Sequence, residues 1–125
     1  MDWVDSTVQE FGEAVGLPGL AFNENGVVSL DMDSLGVLQI ERSGSRVTLC
    51  LARPLPQHDD QVCRAALAQC HYRDMGAYPV SAGLRNNDTL VFLVHVPERA
   101  FSIPELEHCF DALVRAHDAA TAQPG

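Results

Sequence analysis

The sequence contains no lysine, so all eight of its basic residues are arginine, against seventeen aspartates and glutamates among 125 residues. The distribution is uneven as well as acidic, because eight acids precede the first base, Arg42. A surface with a net charge of −9 repels phosphate groups. We therefore expect no nucleic-acid partner, whereas a basic or polar polypeptide would meet no strong electrostatic penalty.

The chain also lacks an apolar run of membrane-spanning length, a signal peptide and any CxxC pair. Its four cysteines stand within apolar patterns rather than in turns: Cys50, Cys63, Cys70 and Cys109. Free cysteine behaves as a small hydrophobic residue, and thiols persist in a reducing compartment. These absences predict a cytoplasmic protein with buried thiols and no stable membrane insertion.

Residue types that carry chemistry are few and poorly spaced. Asp59-Asp60 are adjacent acids, but neighbours on a helix point about 100° apart. Cys70-His71 and His108-Cys109 contain metal-ligand types, yet no second spaced pair completes a tetrahedral site. We therefore predict no catalytic residue, no metal and no cofactor. One alternative stays open, a cysteine-dependent enzyme whose cysteine and histidine come from distant segments.

The stretch from Val27 to Arg53 has the clearest pattern in the chain. Apolar and polar residues alternate in three successive runs, which is the period of half-buried strands: Val28-Leu30-Met32, Leu38-Ile40 and Val47-Leu49-Leu51. Between the runs stand Asp33-Ser34 and Ser43-Gly44, and Gly44 can adopt the positive φ of a tight hairpin. This pattern predicts a three-stranded antiparallel meander against which the rest of the chain packs.

Three helices are predicted beside the meander. The first spans about residues 2–15, with an apolar stripe at intervals of three and four: Trp3, Val4, Val8, Phe11 and Val15. The second, at about residues 57–75, is rich in alanine and apolar most of the way round, so it needs cover on two sides. The last begins at the N-cap residue Ser102, followed by Pro104 and Glu105.

Two further strands are predicted at Val80–Leu84 and Thr89–Val96, separated by a turn at Asn86-Asn87-Asp88. Both faces of the Thr89–Val96 strand are apolar, so we expect it to be buried on both. A single layer of helices would leave one of these faces bare, which indicates a partner. The order α-β-β-β-α-β-β-α predicts one α+β domain over residues 1–125, a small antiparallel sheet with helices packed beside it.

Several segments together resemble a known family over nearly the whole chain: Trp3, Gly16-Leu17-Pro18, Gly36–Glu41, Thr48–Arg53, Glu98-Arg99 and the Pro104–Leu113 helix. They are similar to the small type III secretion chaperones of Gram-negative bacteria, and within that class to the SycN family. The resemblance implies dimerisation through the second helix and a neighbouring strand. It also implies binding of an extended N-terminal segment of a secretion substrate, without ATP, metal or a covalent step.

For a SycN-like subunit, the resemblance implies that its partner is a second small chaperone subunit similar to YscB. The implied substrate is the gatekeeper protein that plugs the export apparatus, and the implied location is the cytoplasm, peripherally at that apparatus. We predict a partner-subunit interface at Val62, Cys63, Ala66, Cys70, Val91 and Leu93. We predict a cargo-binding surface at Trp3, Phe11, Val28 and Leu30. The alternatives are a homodimeric chaperone of an injected effector and an additional regulatory role.

Overall fold

The computed structural model describes residues 3–54, 74–75, 78–86 and 88–121. Within them the chain forms two α-helices, α1 (Trp3–Ala14) and α2 (Ile103–Thr121). It also forms six strands: β1 (Val27–Asp31), β2 (Val37–Ser43), β3 (Arg46–Pro54), β4 (Asp74–Met75), β5 (Tyr78–Arg85) and β6 (Thr89–Pro97). Short 3-10 turns at Asp33–Leu35 and Glu98–Ala100 precede β2 and α2.

Neighbouring strands are antiparallel and lie in the order β1-β2-β3-β6-β5-β4. Strands β1 to β3 form the predicted meander, and Gly44 in its second hairpin has the expected positive φ of 60°. Strand β6 then pairs with β3, so Leu51 lies opposite both Leu38 of β2 and Phe92 of β6. The α+β class with a small antiparallel sheet is confirmed.

One face of the sheet packs against both helices and forms the core. The sheet contributes alternate residues of five strands: Val28, Leu30, Leu38, Ile40, Val47, Leu49, Leu51, Val80, Leu90, Phe92, Val94 and Val96. The helices contribute Val4, Val8, Phe11, Leu106, Cys109, Ala112, Leu113, Ala116 and Ala120. The rings of Phe11 and Phe110 meet edge to face, 5.9 Å apart, and join α1 to α2.

The apolar stripe predicted on the first helix is narrower in the structure. Val4, Val8 and Phe11 are buried, but the side chains of Trp3 and Val15 are exposed. Trp3 lies about 100° around the helix from Val4, at the margin of the buried face, and Val15 follows the last helical residue. A count of intervals of three and four therefore included two residues that the helix does not bury.

Most of the predicted second helix, residues 57–73, lies outside the described residues. Its last two residues do not extend a helix, because Asp74 and Met75 form β4 and pair with Pro79 and Tyr78. The predicted end at Met75 is therefore wrong. The reason is long-range pairing: these two residues continue the edge of the sheet next to β5, a neighbour that helical periodicity does not reveal.

Helix α2 begins as its sequence predicts. The Glu105 backbone N–H donates to Ser102 Oγ at 3.3 Å, which satisfies one of the free donors of the first turn. The Glu105 carboxylate accepts a hydrogen bond from Cys109 Sγ one turn later. The cap fixes the start of α2, so that Leu106, Cys109 and Leu113 face the sheet.

His117 of α2 is fully buried against the sheet. Its Nε2 lies 2.7 Å from the carbonyl oxygen of Leu51, and its ring meets Phe92 edge to face at 4.8 Å. Since a carbonyl oxygen only accepts, Nε2 carries the proton and donates it. Burial lowers the pKa of His117 to about 4, although the bond to Leu51 opposes the shift. The folded protein therefore holds this histidine neutral.

We predict that stability falls as the pH drops from about 6.5 towards 4, because the unfolded chain binds a proton to His117 that the folded chain does not. The contribution is present above pH 6.5 and amounts to at most about 3 kcal/mol. His117→Gln, whose amide can also donate to Leu51, should unfold at a lower temperature but lose less stability on acidification. Melting temperatures between pH 7.5 and 4.5 measure this, with exposed His108→Gln as the control. Equal pH slopes for His117→Gln and the unmutated chain would contradict it.

Candidate protein-binding surfaces

The sheet face opposite α1 and α2, which we call the outer face, is ordered in rows that run across the strands. The first row is small and apolar: Val37, Ala52, Val91 and Gly83 on β2, β3, β6 and β5. The second is mixed: Gln39, Cys50, Leu93 and Ser81. The third is polar: Glu41, Thr48 and His95. The outer face thus grades from apolar at one end to polar at the other.

Arg85 crosses this face. It stands on β5, yet its Nη2 lies 3.5 Å from Gln39 Oε1 and 3.8 Å from Cys50 Sγ, on β2 and β3. Strand β6 lies between β5 and β3, so the aliphatic stem of Arg85 passes over β6. Val91 of β6 is only 5% exposed. The expectation that this face of β6 is bare in a single chain is therefore wrong at Val91.

The rest of β6 is less covered on the outer face. Leu93 is half-buried, and His95 is exposed and hydrogen-bonded to Thr48 through Nδ1 at 2.7 Å. Partial burial, followed by the charge of Arg46, lowers the pKa of His95. Of the six residues predicted at a partner interface, Val91 and Leu93 are thus brought together on this face. The other four, Val62, Cys63, Ala66 and Cys70, lie outside the described residues.

Strand β1 forms one edge of the sheet, and its hydrogen bonds show which residues point outward. The Arg42 N–H donates to Gly26 O at 2.7 Å, and the Met32 N–H donates to Gly36 O at 2.9 Å. Backbone groups in an antiparallel strand alternate in direction. Every second residue between Gly26 and Met32 therefore faces β2, and the odd-numbered residues of β1 direct their N–H and C=O away from the sheet.

Three residues of β1 carry these outward groups. Those of Val27 are taken up by Asn23, whose N–H donates to Val27 O at 2.8 Å and whose Oδ1 accepts from Val27 N at 3.0 Å. Ser29 and Asp31 follow, with exposed side chains on the outer face. Their outward N–H and C=O groups form the open edge, a short template for an added strand.

A cavity of about 240 Å³ opens next to α1, and we call it the α1 groove. It lies between α1 and the segment that leads into β1, and is lined by Asp5, Val8, Gln9, Leu20, Ala21 and Phe22. Phe22 directly precedes Asn23, which is bonded to the edge of β1. The segment that lines the groove therefore leads through Asn23 to the Val27 end of β1, and the open edge follows at Ser29 and Asp31.

Gly12 allows the wall of the α1 groove to pack against the helix. A Cβ at this position would lie 2.5 Å from Leu20 Cδ1 and 2.6 Å from Leu17 O, both closer than real contacts allow. The Leu17 N–H also donates to Gly12 O at 2.7 Å. The chain after α1 is thus held directly on the helix, a close approach that was not predicted from the sequence.

The four residues predicted to bind cargo do not form one exposed patch in the single chain. Phe11, Val28 and Leu30 belong to the core, and Leu30 is 1% exposed. Trp3 is 52% exposed, but it lies about 200° around α1 from Asp5, which lines the groove. Their contact with cargo stays a prediction, while the exposed features near them are the α1 groove and the open edge.

The described thiols are not arranged as nucleophiles. Burial, followed by the neighbouring Glu105 carboxylate, raises the pKa of Cys109 to about 12. Burial also raises the pKa of Cys50, although Arg85 opposes the shift. Both thiols therefore stay protonated near neutral pH, whereas a catalytic cysteine reacts as the thiolate. Among residues 3–54, 74–75, 78–86 and 88–121, no cluster of three histidine, cysteine or acidic side chains is placed to hold a metal ion.

Comparison with known proteins decides the family. The model of the family described as type III secretory system chaperone SycN matches residues 3–121. The chain belongs to the SycN family. It is 31% identical over 116 residues to the chaperone protein SycN of Yersinia enterocolitica, covering 92% of this chain and 94% of the relative. No helix in the described part of the chain is long and apolar enough to cross a membrane.

Solved structures share the fold. A chain of the ExsC-ExsE complex superposes with a TM-score of 0.77 at 16% identity, covering 97% of this chain and 93% of that one. A chain of the HopA1-SchA chaperone-effector complex gives a TM-score of 0.72 at 17% identity, with coverages of 95% and 94%. Both likenesses concern architecture, since identity is this low. The surfaces described above are therefore those of a type III secretion chaperone of the SycN family.

We predict that Gly12→Ala lowers stability. Alanine favours a helix interior by about 1 kcal/mol over glycine, but the clash with the Leu17 carbonyl involves backbone, and overpacking costs about 1–3 kcal/mol. The steric effect should therefore exceed the gain in helix propensity. Urea unfolding measures the difference, with exposed Ser6→Ala in the same helix as the control. A more stable Gly12→Ala chain would contradict the close approach described above.

Proposed function

We propose that this SycN-family chain is a cytoplasmic chaperone subunit that pairs with a second, YscB-like subunit and binds the N-terminal segment of the secretion gatekeeper. It keeps that segment competent for export, and it acts by binding, without catalysis. Membership of the SycN family and the raised pKa values of Cys50 and Cys109 support this proposal over a cysteine-dependent enzyme. The observation that carries it is the open edge of β1 beside the α1 groove.

The open edge supplies main-chain recognition. Ser29 and Asp31 direct N–H and C=O groups outward, and an extended peptide can pair with them as an additional strand. Such pairing depends little on the side chains of the cargo, so it suits a segment that must stay unfolded. The bonds are also individually weak, with a net value near 1 kcal/mol each, which permits release at the export apparatus.

The α1 groove supplies side-chain selection. Val8, Leu20 and Phe22 give it apolar walls, and its volume of about 240 Å³ admits a bulky apolar side chain of the cargo. Asp5 and Gln9 stand at the same cavity and give it polar groups. A strand added at β1 would project alternate side chains towards the groove, because side chains alternate across a strand. Edge and groove together form one cargo site.

The outer face is the proposed interface with the second subunit. Its apolar row ends in Val37, which is 41% exposed, and Leu93 in the next row is half-buried. Exposed apolar surface on an antiparallel sheet favours association with another protein. Arg85 lies across this face and offers a fixed cation to a carboxylate of the partner.

A second candidate is a homodimeric chaperone of an injected effector. The fold shared with a chain of a chaperone-effector complex favours it. Light scattering of the purified chain, alone and after co-expression with the YscB-like subunit, distinguishes the two. A stable homodimer that excludes the second subunit favours the effector chaperone.

We predict that Ser29→Pro abolishes cargo binding while the fold is retained. Proline removes the outward N–H and adds bulk at the edge, and it leaves the bonds between β1 and β2 in place because Ser29 does not donate to β2. The affinity for a gatekeeper N-terminal peptide should fall at least about tenfold, which corresponds to the loss of about 1.4 kcal/mol. Isothermal titration measures it.

Ser29→Ala is the matched control for that change. It removes the same hydroxyl and the contact with Gln39 Nε2, but it keeps the backbone N–H. Its affinity should equal that of the unmutated chain. Equal loss in both variants would assign the effect to the side chain, and unaffected binding by Ser29→Pro would place the cargo elsewhere.

We predict that Leu93→Glu prevents assembly with the second subunit. A carboxylate in the middle row of the outer face would be desolvated by the partner, and it would draw Arg85, whose guanidinium lies beside Cys50 opposite position 93, away from the partner's own carboxylate. Size-exclusion chromatography after co-expression measures assembly, and circular dichroism checks the fold. Exposed Ser6→Glu adds the same charge on α1 and should assemble normally. Normal assembly of a folded Leu93→Glu chain would exclude this face as the interface.

A further inference from the structure

The open edge of β1 is bordered by acids. Glu24 lies in the turn before the strand, Asp31 is its last residue, and Asp33 follows; all three side chains are exposed. The first base in the sequence is Arg42, so residues 3–41 contain no arginine, lysine or histidine to offset them. No base within residues 3–41 therefore offsets the negative charge of these three carboxylates.

Arg42 does not neutralise these acids. Its guanidinium lies 3.3 Å from Glu98 and 3.8 Å from Asp5, with a side chain that is 25% exposed. Its charge is therefore shared between Glu98 and Asp5, the acid that lines the α1 groove. The ion pairs found among the described residues include none with Glu24, Asp31 or Asp33. The acid at the groove is thus partly offset by Arg42, whereas no ion pair among the described residues offsets the three acids at the open edge.

We propose that the cargo segment is an extended peptide in which apolar residues alternate with lysine or arginine. This inference rests on the proposed cargo site and adds the chemistry of its ligand. On a strand paired with β1, the side chains facing α1 meet the apolar groove. Those facing the other way lie beside Ser29 and Asp31, where a basic side chain is opposite a carboxylate.

Two features of Asp31 suit this role. Its Oδ1 accepts a hydrogen bond from the Asp33 backbone N–H at 3.0 Å, which holds the carboxylate in one orientation at the end of the strand. Its backbone N–H and C=O belong to the open edge itself, so main-chain pairing brings the opposite residue of the cargo next to the carboxylate. Asp31 thus pairs with the main chain of the cargo and also favours a basic side chain at the opposite position.

The test uses three synthetic peptides of about twelve residues with identical apolar positions. Their alternate positions are all lysine, all glutamine or all glutamate. Each is titrated into the full chain co-purified with its second subunit, at roughly 50 and 300 mM salt. Two quantities are measured: the dissociation constant, and the hydrogen-exchange protection of the Ser29 and Asp31 amides.

We expect the lysine peptide to bind at least about tenfold more tightly than the glutamate peptide, with the glutamine peptide between them and the difference shrinking at the higher salt. Asp31→Asn keeps the acceptor for the Asp33 N–H and should lower the affinity for the lysine peptide about two- to fivefold. Glu107→Gln removes an exposed charge on α2 and should leave all three affinities unchanged.

The outcomes separate this inference from the function on which it rests. Equal affinities for the three peptides, with the Ser29 and Asp31 amides protected, would overturn the charge preference and leave strand addition at β1 intact. Binding without protection of these amides, or no binding of any peptide, would overturn the cargo site itself. A preference for the glutamate peptide would overturn the charge inference outright.

Discussion

The pairing of β3 with β6 is the constraint on which the rest of the fold depends. All nine residues of β3, Arg46–Pro54, lie opposite residues of β6, and this ladder joins the N-terminal meander to the C-terminal strands. Strand β3 is also bonded to α2, because the carbonyl oxygen of Leu51 accepts a hydrogen bond from His117 Nε2. The core between sheet and helices therefore forms around β3. A neutral His117 is part of that arrangement, because burying a charged imidazolium ring away from water would cost free energy.

Side chains alternate along this ladder, so the sheet has two faces with different surroundings. Alternation places Leu49 and Leu51 towards the helices, where they are fully buried, and Cys50 and Ala52 towards the outer face. On the helix-facing side, the described side chains of the strands pack against α1 and α2. Among the described residues, the surfaces left open to other proteins are therefore the outer face, the open edge of β1 and the α1 groove. The arginine that crosses β6 indicates that even the outer face is partly organised before a partner arrives.

Local patterns in the sequence predicted the meander, β6 and the start of α2, because each depends on alternation or on a cap within a few residues. Patterns of this kind carry no information on which strands become neighbours, so the insertion of β6 beside β3 was not predicted. Arg85 was missed for the same reason, since its partners lie on two distant strands. Gly12 left a usable signal: an isolated glycine inside a helical pattern often marks a close approach of backbone.

The candidate site was the least predictable part, and its chemistry explains why. Reasoning from residue types selects apolar side chains as binding residues, but Val28 and Leu30 are apolar because the core requires them to be. The groups that an added strand would use belong to the backbone of Ser29 and Asp31, and every residue except proline carries such groups. Their availability depends only on β1 being the last strand of the sheet. An edge of this kind becomes visible once the strand order is known, whereas the acids around it can be read from the sequence alone.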